Sequence, residues 1–394
     1  MTTPYRHLID WAAGACLPLA GPLDTVDGPL RAMIGPARLV SLGEGLHGAH
    51  EPIEFRNALF AWLVGQLGFR AIALESALSS GLAIDTFVQG GPGDADQVVA
   101  RGISSGLHVF PQQARLVRWM RAFNERCAAG DRLSFHGIDT SPLADALELA
   151  LARIDGPAAG ALRERVQPLR SGFEVDRMSP EPRGYTALDG AQREALGACV
   201  AELATRVEAA APVLARALRQ AELYLRQFPP GWSAAQGSAG IWGSVAASDL
   251  GKAVNVEQLL RQQERVLLFS HLGHASTLPV SIRLGADTVA LPEMMGAHLR
   301  RRCGSGELLT IGHLLADNQC QPAVGIAPAD SLEGRLATLG HEAFLLDLRQ
   351  APPEALAELQ VAPHPLHGQL PVHQLSPGLG IDIIYFTRRA TPAL

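Results

Sequence analysis

The strongest constraint on how this chain can fold is an alternation in which short apolar runs are separated by longer amphipathic stretches. Eight runs, at residues 37–42, 70–74, 132–135, 265–269, 308–314, 323–326, 343–348 and 381–386, have the length and composition of strands. Strands alternating with helices build a sheet covered on both faces, so the pattern predicts an α/β fold with a mostly parallel central sheet flanked by helices. Between the first two runs, Phe55, Leu59, Trp62, Leu63 and Leu67 share one face of a helix over 51–67, and Gly68 is placed to end it. From 142 to about 227 the pattern changes: Ala, Leu, Arg and Glu dominate, strand candidates vanish, and Pro212 is placed to open a long helix. This predicts an α/β core of residues 1–141 and 244–394, carrying the active site, with an inserted all-helical lobe at 142–243 forming one wall of a cleft. A Pro/Gly/Ser-rich stretch, 229–243, leads back to the core, and the tail 364–373 looks like a loop.

With 394 residues, 47% of them hydrophobic, the chain can bury a large core and is not a disordered segment. Its 33 basic and 39 acidic residues give a net charge of −6 with no basic run, which prepares no surface for nucleic acid or anionic lipid. The expected partner is therefore a small molecule. Five widely spaced cysteines with no CxxC pair point to a reducing compartment and no structural zinc. Residues 11–20 loosely resemble the apolar core of a signal peptide, but Leu8, Trp11, Ala12 and Cys16 fit one face of a helix, and a cytoplasmic location is expected. No apolar run reaches the ~18 residues that a membrane span requires.

Four of the strand candidates run into a polar residue suited to chemistry. The first leads to Glu44 and His47, the second to Glu75, the third to Asp139, and the fourth to His271 and His274. In a parallel sheet such ends lie along one edge, where α/β proteins place their sites. Blander roles are open for several of them. Glu75 could cap the helix that follows, Asp139 could serve the turn at Thr140-Ser141-Pro142, and His274 could be a loop histidine. His47, between Gly45 and Gly48, is harder to explain by packing, since the glycines suit a tight loop that presents a side chain to a cleft.

Three motif matches compete with this reading. Gly43-Glu44-Gly45-Leu46-His47-Gly48 fits the GxGxxG pattern of NAD(P)-dependent oxidoreductases, with Glu75 ending the next strand. Pro52 would then fall inside the helix, and Glu44 would set a carboxylate beside the pyrophosphate, where only amides belong. Gly102-Ile103-Ser104-Ser105-Gly106 fits the GxSxG of serine hydrolases, but it follows a helix rather than a strand. His364, His367 and His373 have ligand-like spacing in a Pro/Gly-rich loop, where solvated histidines are expected. Glu44, His47, Glu75, His271 and His274 could in principle hold zinc. No HExxH helix is present, and the expectation is no metal and no cofactor.

Taken in order, these residues resemble the erythromycin esterase family, whose members open macrolide lactones. The family's opening Gly-Glu-x-x-His-Gly is matched by Gly43, Glu44, His47 and Gly48, and its helix arginine by Arg56. Its strand-end glutamate is matched by Glu75, its Gly-x-Asp by Gly137 and Asp139, and its His-x-x-His by His271 and His274. Leu46, Leu272 and Ser248 depart from the family's usual polar residues. The resemblance implies a hydrolase in which His47 activates water toward an ester or macrocyclic lactone carbonyl. Glu44 and Glu75 would orient that imidazole and the water. Arg56 and His271 would hold substrate or support the oxyanion, while His274 and Asp139 would contact substrate. The same acid–base set could instead drive cyclisation, elimination or isomerisation of a natural product, and a protein that only sequesters its ligand is a third possibility.

Overall fold

The computed structural model describes residues 4–104, 107–170, 183–232, 241–284, 286–304, 306–368 and 372–394. Ser105, Gly106, Pro371 and most of the 229–243 stretch lie outside them. The strands are β1 (Leu17–Pro18), β2 (Leu39–Glu44), β3 (Ala71–Ala77), β4 (Ser134–Asp139), β5 (Val266–His271), β6 (Val280–Leu284) and β7 (Asp287–Ala290). They continue as β8 (Leu308–Asn318), β9 (Gly325–Ile326), β10 (Ala343–Asp347), β11 (His364–Pro365), β12 (His373–Leu375) and β13 (Ile383–Ala390). All eight expected strands are present. The main sheet runs β1-β10-β13-β8-β2-β5-β3-β4, with β9 on the side of β8. From β13 to β4 the pairs are parallel, while β1, β9 and β10 pair antiparallel.

Apolar side chains explain why this sheet is buried on both faces. On one side Leu42, Ile72 and Leu267 join Leu59, Phe60 and Leu63 of the helix His50–Leu67. On the other, Leu39, Ala73 and Leu268 meet Ala253 and Val256 of the helix Trp242–Leu260. Several strands run past their last apolar residue. The ladder continues through Gly43↔Ser270 and Glu44↔His271 because backbone pairing does not depend on side-chain polarity. Glu44, Asp139 and His271 are thus the last residues of their strands, held by the sheet itself.

Between β4 and β5 the described residues contain only helices: Leu143–Leu151, Pro157–Arg170, Arg183–Thr186, Gly190–Val207, Pro212–Arg226 and Trp242–Leu260. The first five share an apolar cluster that includes Leu147, Leu203 and Leu218 and joins the rest of the molecule through Leu78. The tail differs from the loop expected for it. β11 and β12 form a second sheet with β6 and β7, in the order β11-β12-β6-β7, whose strands are too short and polar to show as an apolar pattern. Among the described residues no helix is long and apolar enough to cross a membrane.

One close approach fixes the edge of the sheet beside the site. Gly81, in the helix Leu78–Val88, lies so near β4 that a Cβ there would sit 2.6 Å from the Gly137 nitrogen. Gly81→Ala gains up to ~1 kcal/mol of helix propensity, but overpacking against backbone costs about 1–3 kcal/mol. The melting temperature is expected to fall, and an unchanged or higher value would show that the helix can move away from β4.

Candidate active site

The order of the central strands assembles the site. β5 lies between β2 and β3, so Glu44, His271 and Glu75, distant in sequence, stand at the ends of three neighbouring strands. Asp139 follows at the end of the edge strand β4, opposite Ala77. The loop after β2 turns back tightly. A Cβ on Gly45 would lie 2.6 Å from the His313 carbonyl oxygen, and Gly48 has φ +79° with its Cβ position 2.8 Å from the Phe110 ring. Both positions need glycine, and between them His47 is turned back over Glu44. The helix begins at His50, so Gly48 precedes it and Pro52 sits in its first turn, where no N–H partner is lost.

The Glu44 carboxylate is buried and its Oε1 lies 2.6 Å from Nδ1 of His47, whose side chain is 36% exposed. A carboxylate can only accept, so the shared hydrogen is on Nδ1 and the Nε2 lone pair is the basic position. Burial alone would lower the His47 pKa, but the charge and hydrogen bond of Glu44 outweigh it and raise it above 6.5. Arg56 is completely buried. Its Nε and Nη2 donate to Asn57 Oδ1, and its guanidinium lies 4.9 Å from the centre of the Phe269 ring. Burial lowers its pKa to about 10, against the stabilising charge of Glu44.

Glu75 has both oxygens engaged. Oε2 accepts the His271 backbone N–H at 2.7 Å, and Oε1 lies 3.2 Å from His274 Nε2. The other nitrogen of His274 is 2.8 Å from Asp249 Oδ1, which also accepts the Met295 N–H. Burial would depress the His274 pKa, but Asp249 and Glu75 outweigh it and lift it to about 10, so this ring is an imidazolium. Burial likewise opposes ionisation of Glu75. The positive charges of His274, Lys252 and His47 prevail and hold the carboxyl well below its usual range. His271 is the opposite case: burial, together with His47 and His373, keeps its pKa well below 6.5 and the ring neutral. Its Nδ1 accepts the Gly273 N–H at 3.1 Å, which leaves the hydrogen on Nε2. The His271 ring lies 5.0 Å from that of His47 and 4.8 Å from that of His373.

Asp139 Oδ1 accepts from the Thr140 N–H and the Ser248 hydroxyl and lies 3.3 Å from the Lys252 ammonium. Asp249, Lys252 and His373 were not among the residues expected from the sequence. A lone lysine in an arginine-rich chain was a usable signal for Lys252, whereas for His373 the only signal was its ligand-like spacing with His364 and His367. The tail histidines are not free in a loop, although His367 and His373 stay partly exposed. His364 is buried between Tyr5 and the Leu359 carbonyl, His367 bonds the Gly325 carbonyl, and His373 belongs to β12. Leu46 and Leu272 are fully buried in apolar clusters, so these two departures from the family pattern leave the polar site untouched. Ser104 is occupied structurally, its hydroxyl accepting the Ala77 N–H at 2.9 Å. Among the described residues no group of three or more His, Cys, Asp or Glu is arranged to hold a metal ion.

This fold and site define a class: an α/β protein with a cluster of histidines and carboxylates at the C-terminal edge of its parallel strands. The sequence model of the erythromycin esterase family matches residues 64–371, and the chain belongs to that family. A 112-residue stretch is 31% identical to erythromycin esterase type II of Escherichia coli, covering 28% of this chain and 25% of that protein. The chain thus aligns with about a quarter of that relative's length. Among solved structures, a succinoglycan biosynthesis protein superposes over 100% of this chain and 99% of its own (TM-score 0.77, 19% identity). A Bacillus cereus protein does so over 98% of each chain (0.75, 18%). A mutant of the erythromycin esterase EreC in its open conformation covers 96% of this chain and 98% of its own (0.69, 18%).

The His274 imidazolium makes a pH-dependent contribution to stability. Its folded pKa of about 10 exceeds the ordinary 6.5, so its contribution is whole below pH 6.5 and is lost as pH rises toward 10. Thermal unfolding across that interval should show a falling melting temperature, with a flatter slope in Asp249→Asn. A level wild-type profile would mean that the ring is neutral.

Proposed function

We propose that the protein is a hydrolase of ester or macrocyclic lactone bonds in which His47, set by Glu44, activates water for direct attack. The observation that carries this reading is the 2.6 Å Glu44–His47 pair, with the carboxylate buried and the imidazole reaching solvent. Water held at His47 Nε2 gives its proton to the ring as its oxygen bonds to the carbonyl carbon, and Glu44 stabilises the imidazolium that forms. The carbonyl electrons move onto oxygen. The Nε2–H of neutral His271, one ring away, is the donor for that oxyanion, a role that demands a hydrogen fixed in advance. Collapse restores the carbonyl and breaks the bond to the alcohol oxygen, which takes the proton back from His47. The products are one acid and one alcohol, joined in a single chain when the substrate is a lactone.

Buried Arg56 acts from behind, stabilising the charge of Glu44. His274, with both nitrogens on carboxylates, serves as a fixed cation that orients Glu75 rather than as a substrate contact. Glu75 in turn holds the His271 backbone. Ser104 lacks the partner a nucleophile needs, because its hydroxyl is held by the Ala77 N–H and the Ser76 hydroxyl rather than by a base. The family and its Escherichia coli relative support a macrolide lactone as the first substrate to try. The direct test is mass spectrometry of candidate lactones and esters incubated with the protein, where hydrolysis adds one water. An unchanged mass with a rearranged product would favour isomerisation or cyclisation at the same centre.

On a substrate so identified, His47→Ala should lower turnover by about two to four orders of magnitude, the usual worth of a positioned base. The rate should rise with pH through a pKa above 6.5, since only neutral His47 accepts a proton. Glu44→Gln should move that limb to lower pH while lowering the rate, because removing the carboxylate lowers the His47 pKa. Ser104→Ala should retain its turnover and lose about 1 kcal/mol of stability, the worth of one hydrogen bond. An inactive Ser104→Ala alongside an active His47→Ala would reverse the assignment. Dialysis against a chelator should leave the rate unchanged, and stoichiometric zinc lost together with activity would replace direct base catalysis by metal-assisted attack.

A further inference from the structure

Lys252 is the only lysine of the chain, it is 3% exposed, and none of the proton transfers above uses it. Withdrawing an ammonium from water costs several kcal/mol unless other charges compensate. Carboxylates from three elements do so. Asp139 at the end of β4 lies 3.3 Å away, Asp249 one turn earlier on the same helix lies 3.8 Å away, and Glu75 of β3 lies 3.9 Å away. The ammonium is shared among the three rather than paired with one.

We propose that Lys252 is a positioning residue of the active site, the common counter-ion that lets Glu75, Asp249 and Asp139 stand side by side as carboxylates. The inference rests on the acid–base reading of the site. Without Lys252 the three carboxylates would face only the imidazolium of His274 and, on the Glu75 side, the charge of His47, and like charges this close do not all remain ionised. A proton taken up by Glu75 would turn one of its acceptor oxygens into a donor. It could then no longer accept from both the His271 backbone and His274, and the His271 Nε2–H would lose its aim. The remaining neighbours do not supply the missing charge. Tyr224, on the lobe helix Pro212–Arg226, is a neutral phenol whose pKa is pushed up to about 12 by burial and by Asp139. The helix Met295–Arg302 contributes the Met295 N–H to Asp249. Burial would lower the pKa of Lys252 itself, but Asp139, Asp249 and Glu75 outweigh it and raise it, so the amine is no Schiff-base nucleophile.

Because the lysine is unique, protein made with ε-¹³C-lysine gives a single side-chain carbon signal, which can be followed without any substrate. In the full-length protein that signal should not titrate up to pH ~11, past the ordinary lysine value of about 10.4. In Asp139→Asn its midpoint should come down. An ordinary midpoint in the wild type overturns the proposal, whatever the reaction turns out to be. On an ester that the wild type hydrolyses, Lys252→Met should lower kcat by about tenfold or more, with a smaller change in KM, and add a new ionisation to the pH profile. Adding Asp139→Asn, which removes the surplus carboxylate, should restore part of the rate and the simple profile. A Lys252→Met enzyme with wild-type kcat and pH profile also overturns it. If Lys252→Met does not fold, the double variant, which keeps the cluster's net charge, and the labelled wild type decide the question. If no ester is cleaved, the hydrolase reading fails while the carbon signal still tests Lys252.

Discussion

Carboxylates removed from water must bring cations with them, and around this constraint the C-terminal end of the parallel sheet is organised. Glu75, Asp139 and Asp249 meet within reach of two positive groups, Lys252 and His274, and each is further satisfied by a backbone N–H. The same network ties four elements together: β3, β4, the helix Trp242–Leu260 and the short helix Leu272–Ala275. Removing one charge from such a cluster leaves another buried and unpaired, typically worth 3–5 kcal/mol. This edge of the sheet therefore behaves as one electrostatic unit.

Within that unit three histidines hold three different protonation states because their surroundings differ. His47 bonds the Glu44 carboxylate and has access to solvent, and the charge of Glu44 raises its pKa above 6.5 against burial. His271 is buried beside other imidazoles and accepts a backbone N–H, and it stays neutral with its hydrogen on Nε2. His274 lies between two carboxylates and stays charged. Separating like groups by environment lets one cluster hold its histidines in different protonation states at a single pH. The sheet makes the separation possible, since β5 carries His271 to a place beside Glu44 and within reach of Glu75.

Much of this was legible in the chain. The apolar runs marked eight of the thirteen strands in the described residues, because most strands of a sheet covered on both faces need such a run whatever their neighbours. The residues at the ends of four of them included Glu44, Glu75, Asp139 and His271. The glycines around His47 signalled a turn that only glycine allows. The small second sheet stayed hidden, since β11 and β12 are two and three residues long and owe their shape to pairing rather than composition. The roles of Leu46 and Leu272 were also invisible, because alternation along a strand or turn does not say which face meets solvent.

The sequence by itself determined the eight apolar strands, the polar residues at the ends of four of them and the family, because these rest on local composition and spacing. Tertiary structure alone decided which ends meet. The insertion of β5 between β2 and β3 follows from how helices cover the two faces, a matter of packing over the whole chain. It also decided the charge state of each histidine and the place of Lys252, Asp249 and His373, since desolvation and Coulomb attraction act through space between residues that the chain holds far apart.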